Sequence, residues 1–394
     1  MTGPFTVSRR TTLTTLSAAA AASAMPALGN TASPARDMFR HGVASGDPDA
    51  TSVVLWTRIS GVEEATVAWE VASDPGFRKV AASGQFATGA ERDFTVKALA
   101  EGLKPGAPYY YRFRCKGVTS PVGRTRTLPV GPVKRLGIAL ASCSNFAFGH
   151  FNAYDAIARD PAVDFVLHTG DYIYEYGADG WGGEISRKLG RVHQPSHEIV
   201  SLSDYRIRHA QYKSDAGAQT MHAAKPLLAC WDDHESANNP WVGGAQNHQP
   251  ETEGSWADRR NASIQAYYEW MPVREPGPGR TRAQFWRTYV FGDLATQRIP
   301  VLAALAHQGP DRPIADAAQP HLDHHHWQVG RIEPGTAEQA QHAEVVGGNP
   351  VVHVKPTDPL VPLPPDIQRR VGRHPAPLEV PGGERGAAPL PDHL

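Results

Sequence analysis

Three short polar clusters constrain this chain most, because each follows a run that reads as a buried strand. Leu136-Gly137-Ile138-Ala139-Leu140 leads to Cys143-Ser144-Asn145. Asp164-Phe165-Val166-Leu167 leads to Gly170-Asp171-Tyr172-Ile173-Tyr174-Glu175, and Pro226-Leu227-Leu228-Ala229-Cys230 leads to Trp231-Asp232-Asp233-His234-Glu235. Strand tips in an open α/β sheet share one crevice, and such folds bind their ligands there. A thiol, carboxylates, a phenol and an imidazole meeting in that crevice predict a metal site.

The 394 residues allow two or three domains. A formal net charge of −1 points to no nucleic-acid-binding module and to no anionic membrane surface. No stretch approaches the roughly 20 apolar residues of a membrane span, so no span is expected in the mature chain. At the N-terminus Ser8-Arg9-Arg10-Thr11-Thr12-Leu13 precedes a weakly hydrophobic, Ala-rich run, and residues 1–35 look like a Tat-type signal peptide. The Tat export machinery is then a partner, with a periplasmic or secreted destination. Only three cysteines are present, Cys115, Cys143 and Cys230, so at least one stays unpaired and a disulfide scaffold is not expected.

Residues 38–128 read as a small all-β domain. Ser52–Thr57, Ala65–Val71 and Pro108–Phe113 alternate with period two, separated by turn residues such as Asp74-Pro75-Gly76. From Val133 strands alternate with helical periods, and residues 133–295 read as an α/β domain. Within it, Phe151 to Ala158, Ser203 to Ala224 and Trp256 to Trp270 have helical spacing, and Gln284 to Leu294 looks like a strand. Residues 296–394 differ in kind. Of the 9 Trp, 12 Tyr and 12 Phe, only Trp327 lies from Gln297 onward, alongside 16 of the 34 prolines. Aromatic rings supply much of a core's burial, so this tail is poorly equipped to fold. The abrupt change after Gly292-Asp293-Leu294-Ala295 suggests a frameshift or disorder.

Asp171 follows a glycine that allows close backbone approach, and its two carboxylate oxygens can each serve a different cation. Tyr174 can turn back to the same centre, and Cys143 adds a soft thiolate. Thiolate with phenolate favours iron over magnesium. Asp233 offers a further carboxylate, with His234 as a proton donor beside it. Each residue alone has a plainer reading: a Gly-Asp after a strand is a capped turn, and a lone cysteine is a small buried hydrophobe. His168 reads as a core histidine and Asn238-Asn239 as a loop. Three clusters in this order outweigh those readings.

The blocks Ala141-Ser142-Cys143-Ser144, His168-Thr169-Gly170-Asp171-Tyr172-Ile173-Tyr174-Glu175-Tyr176-Gly177 and Trp231-Asp232-Asp233-His234-Glu235 resemble those of PhoD-type alkaline phosphatases, a branch of the metallophosphoesterases. His41-Gly42-Val43-Ala44-Ser45-Gly46-Asp47-Pro48 resembles the opening of that family's N-terminal domain, and Leu103 to Tyr111 resembles the tyrosine corner of fibronectin type III sandwiches. The resemblance implies an Fn3-like β-sandwich followed by a four-layer α/β/β/α metallophosphatase domain, incomplete in this chain. It also implies Fe3+ on Cys143, Asp171 and Tyr174, with Asp171 bridging to Ca2+ and Asp233 helping to hold that ion. The expected reaction is hydrolysis of a phosphate ester by metal-activated water, with His234 protonating the leaving oxygen. The family's late Gly-Asp-x-His block does not occur, and His324-His325-His326 is no substitute for it, so the chain as written is expected to have little activity. Two rival readings are a non-catalytic exported protein, an Fn3-like binding module on a degenerate phosphatase half, and a periplasmic sugar-binding protein. The second lacks a recurring aromatic platform.

Overall fold

The computed structural model describes residues 34–284, 287–299 and 329–332. The signal-peptide expectation therefore lies outside the described residues, except that Pro34 and Ala35 open helix α1 (Pro34–Met38). Eight strands follow: β1 (Val43–Gly46), β2 (Val53–Arg58), β3 (Glu64–Ala72), β4 (Val80–Gly89), β5 (Thr95–Ala100), β6 (Pro108–Cys115), β7 (Val118–Thr119) and β8 (Gly123–Arg126). Along β6 every second residue is buried, which is the signature of a sheet with one face on a core. Lys104 donates its backbone N–H to the Tyr109 hydroxyl at 2.8 Å, closing the turn before β6.

The second half begins with β9 (Leu136–Ala141), α2 (Asn152–Arg159) and β10 (Phe165–His168). Helices α3 (Gly183–Leu189), α4 (Leu202–Lys213) and α5 (Ala216–Ala224) come next, then β11 (Leu227–Ala229), α6 (Pro250–Glu253) and α7 (Trp256–Trp270). Local chemistry sets the helix starts. Ser201 and Asp204 form a capping box on α4, Asp215 accepts from the first amides of α5, and Ser255 accepts from Asp258 on α7. The chain ends, as described, with the ribbon β12 (Arg287–Phe291) and β13 (Ala295–Ile299), then β14 (Val329–Ile332).

One seven-stranded sheet, ordered β14-β9-β10-β11-β1-β2-β5, runs through both halves, and β3, β4, β6, β7 and β8 form a second sheet. The division at residues 128–133 separates segments of chain but not sheets, because β1 pairs in parallel with β11. Val43, Val53, Leu55 and Val96 of the large sheet share a core with Val67, Trp69, Tyr111 and Phe113 of the small one. On one face of β9–β11, Ala139, Val166 and Leu227 pack against Tyr154, Tyr212 and Tyr267 of the helices. On the other, Leu136, Phe165 and Leu228 meet Tyr289 and Phe291 of β12. Around β9, β10 and β11 three layers are thus present among the described residues: helices, sheet and ribbon. Strands β10 and β11 are buried along nearly their whole length, as parallel strands covered on both faces must be.

Regular pairing extends past residue 295, since β13 completes its ladder with β12 through Ile299 and β14 adds an antiparallel edge to β9. The rest of the tail expectation, with the histidine run 324–326, lies outside the described residues. Among the described residues, no helix is long and apolar enough to cross a membrane. All three cysteines are free.

Candidate metal centre

Strands β9, β10 and β11 run parallel and side by side, so the loops that follow them leave the same edge of the sheet. Backbone bonds tie these loops together. Cys143 donates its N–H to the Gly170 carbonyl at 3.2 Å and Ser144 to the Asp171 carbonyl at 3.0 Å. A Cβ on Gly170 would lie 2.3 Å from Cβ of Asp232, so only glycine lets the second loop rest on the third. Cys143 and Asp171 both have φ of 54°, a left-handed conformation that costs a non-glycine residue energy and persists where the surroundings enforce it.

Asp171, 6% exposed, is the centre of the arrangement. Its Oδ2 accepts from Cys143 Sγ at 3.5 Å and from the Tyr174 hydroxyl at 3.3 Å. Its Oδ1 faces the other way and accepts the backbone N–H of His234 at 3.4 Å. One ligand atom each from Asp171, Asp233 and His234 lies within 4.8 Å of the others. The sequence candidates Cys143, Tyr174, Asp233 and His234 therefore gather around the two oxygens of Asp171. Cys143 and Tyr174 lie at one oxygen, and the backbone N–H of His234 lies at the other. His168 stays apart: it is buried, with Nε2 2.8 Å from the Tyr154 hydroxyl.

The electrostatics favour a cation. Burial, outweighing the pull of His234 and aided by Asp233, pushes the Asp171 carboxyl up to about 6. Burial and then the charges of Asp171 and Asp233 push Asp232 up to about 7. Burial and the Asp171 charge push the Cys143 thiol up to about 12, and the same causes drive the Tyr174 phenol far above its ordinary value. Thiol and phenol thus hold their protons and donate them to Asp171, and a polyvalent cation would take the place of those protons. Carboxylate, thiol and phenol together are a donor set that fits iron, and the remaining carboxylates fit a hard cation.

Several residues that hold this arrangement together were missed as separate candidates. Glu175, fully buried, accepts from His234 Nδ1 at 2.7 Å and from Asn238 N–H and Asn247 Nδ2 at 2.8 and 2.6 Å. Burial works against charge on both partners. It is outweighed at Glu175 by the bond and charge of His234, which hold its carboxyl below the ordinary value. It is outweighed at His234 by Glu175, Asp171 and Asp233, which push the imidazole up to about 10. Glu235 accepts three backbone amides, from Asp171, Tyr172 and Asp232, at 3.1, 2.5 and 2.7 Å, and so pins two loops together. Asn239, read as a loop residue, donates its backbone N–H to Asp233 Oδ2 at 2.8 Å from a left-handed turn. The available signal was an acidic residue inside a run of aromatics, Tyr172 to Tyr176, where an unpaired charge cannot be buried.

Comparison with known proteins bears on the family. Residues 138–299 match the PhoD-like phosphatase family, and residues 20–129 match that family's N-terminal domain. Alkaline phosphatase D of Bacillus subtilis (strain 168) is 42% identical over 274 residues, covering 66% of this chain and 45% of that protein. A solved structure of PhoD is 40% identical with a TM-score of 0.60, covering 66% of this chain and 51% of its own. The chain spans about half the length of these relatives. With residues 20–129 and 138–299 matched in order to the two domains of one family, the chain belongs to the PhoD-like phosphatase family.

Proposed function

We propose that this protein is an exported, metal-dependent phosphatase or phosphodiesterase that hydrolyses phosphate esters. One observation carries the reading: Asp171 offers one oxygen to Cys143 and Tyr174 and the other to the backbone N–H of His234, with ligand atoms of Asp171, Asp233 and His234 within 4.8 Å of one another. Cys143, Asp171 and Tyr174 would hold Fe3+, and Asp171 and Asp233 would hold Ca2+. The bound ions would draw in phosphoryl oxygens and make a water acidic enough to attack phosphorus. His234, kept protonated and oriented by Glu175, would donate a proton to the leaving oxygen. Asn239, through Asp233, would keep that carboxylate turned into the site. Residues 38–128 belong, on the same reading, to an Fn3-like sandwich, and residues 133–295 to part of a four-layer metallophosphatase. Residues 1–35 would direct Tat export.

The test is metal analysis of the purified 394-residue chain together with an assay on bis(4-nitrophenyl) phosphate and 4-nitrophenyl phosphate. Iron and calcium at stoichiometric levels, removed by chelation and regained when the metals are added back, is the expected result, with little hydrolysis by the chain as written. A folded chain that takes up neither metal would instead favour the non-catalytic exported binding protein.

A further inference from the structure

One wall of the metal centre is built from rings. The Tyr174 ring lies 4.3 Å from the His234 ring and the Tyr176 ring 5.5 Å from it. Trp181 stands 5.7 Å from Tyr174 and 6.2 Å from Tyr176, and Phe148 lies 4.7 Å beyond Trp181. The inner ring, Tyr174, is buried, whereas Trp181 and Phe148 are 42% and 37% exposed. Their closeness is built in: a Cβ on Gly182, whose φ is +88°, would lie 2.9 Å from the Phe148 ring, so only glycine lets α3 start this close. Charge at the rim is spent locally, because Arg187 pairs with Asp179 at 3.0 Å.

We propose that this shelf receives the leaving alcohol and selects phosphate esters whose alcohol carries a planar ring. The inference rests on the reading of the site as a phosphate esterase with His234 as proton donor. A proton donor touches the leaving oxygen, so whatever is attached to that oxygen lies against the surroundings of His234. Those surroundings are Tyr174 and Tyr176, continued outward by Trp181 and Phe148. Trp181 is tilted 46° to Tyr174, 59° to Phe148 and 70° to Tyr176, so the shelf presents ring edges and ring faces together. A further ring gains from such an arrangement beyond its buried area, and a saturated chain does not.

Binding of phosphonates that cannot be hydrolysed tests the proposal on the metal-loaded 394-residue chain. Titration calorimetry would compare methylphosphonate, octylphosphonate and 2-naphthylmethylphosphonate. The naphthyl compound is expected to bind tightest. Trp181→Ala and Phe148→Ala should each weaken it roughly three- to tenfold, the size of one ring–ring contact, while leaving methylphosphonate unchanged. Trp181→Phe, which keeps a ring, should retain most of the preference. If methylphosphonate binds and the naphthyl compound gains nothing over the octyl one, the shelf proposal fails alone. If no phosphonate binds, the esterase reading fails and the shelf falls with it.

Discussion

Two Gly-Asp pairs end strands of the same sheet, and their surroundings are opposite. Gly46-Asp47 closes β1 and Gly170-Asp171 follows β10. Asp47 and Asp171 are 2% and 6% exposed, with φ of 45° and 54°. Neither glycine has room for a Cβ, which would lie 2.6 Å from the Pro272 carbonyl oxygen in one case and 2.3 Å from Cβ of Asp232 in the other. Asp47 is saturated by the protein itself. Arg287 donates to its Oδ1 from Nε and Nη2 at 2.9 and 2.6 Å, Tyr289 adds a hydroxyl at 3.2 Å, and the Arg274 amide meets Oδ2 at 2.8 Å. Around Asp171 are Asp232, Asp233 and two donors that keep their protons, against the single imidazolium of His234. Backbone shape and burial therefore do not separate a carboxylate paired by arginine from one set among other acids. The separating property is whether the chain brings its own cation.

The largest effect that could break this comparison is on metal. Asp171→Asn should reduce iron and calcium to background by elemental analysis, because a neutral amide bridges two cations poorly. Asp47→Asn should leave the metal content intact. Metal retained by the Asp171 variant would mean that the two sites do not differ as argued. The next effect is on turnover. In a chain completed with the family's late Gly-Asp-x-His block, His234→Ala should keep the metals and lose roughly 10²–10⁴-fold in rate on alkyl phosphodiesters. The loss should be smaller on nitrophenyl esters, whose leaving group needs little protonation. Loss of metal in this variant would make His234 a ligand instead of an acid.

Stability separates the two aspartates in the opposite direction. Removing the Asp47 charge takes the partner from the Arg287 guanidinium, whose side chain is 35% exposed, so the cost stays below the roughly 3 kcal/mol of a fully buried pair. Urea unfolding should show that loss for Asp47→Asn. The metal-free protein should be no less stable with Asp171→Asn, since the substitution relieves like charge. Equal losses in the two variants would overturn the distinction.

How much of this was legible in the chain depends on how local each signal is. Helix α7 spans Trp256–Trp270 as the helical spacing predicts, with Ser255 as its cap. Strand β10 and the Gly-Asp turn after it are equally local, and the order of the three polar clusters places Cys143, Asp171 and Asp233 at neighbouring tips. What is not legible is long-range partnership. The alternation of Ser52–Thr57 announces a strand, but not that β1, β2 and β5 extend the sheet of the second half. Glu175 meets His234 from 59 residues away, and Asp47 meets Arg287 from 240 residues away. The ring shelf was missed for the same reason: Phe148 and Trp181 meet through a glycine turn, not through any repeat in the sequence.

The smallest expected effect is a pH dependence, read on the chelated protein. Folding raises Asp171 from 3.8 to about 6 and Asp232 from 3.8 to about 7, chiefly by burial. A carboxyl with a raised folded pKa holds its proton more tightly in the native state. It therefore costs nothing below about pH 4 and destabilises progressively as pH rises through 6 to 7. His234, raised from 6.5 to about 10, acts in the same direction: its contribution is full below about pH 6.5 and is lost as pH climbs to about 10. Chelated protein should then lose stability between about pH 5 and about pH 8. Protein loaded with metal should not follow it, because bound cations take the place of the protons and binding tightens as protons leave. Unfolding curves with and without metal should thus diverge as pH rises, and Asp171→Asn should flatten the chelated one. Curves that run parallel would show that the charge at Asp171 is already compensated within the protein, as it is at Asp47.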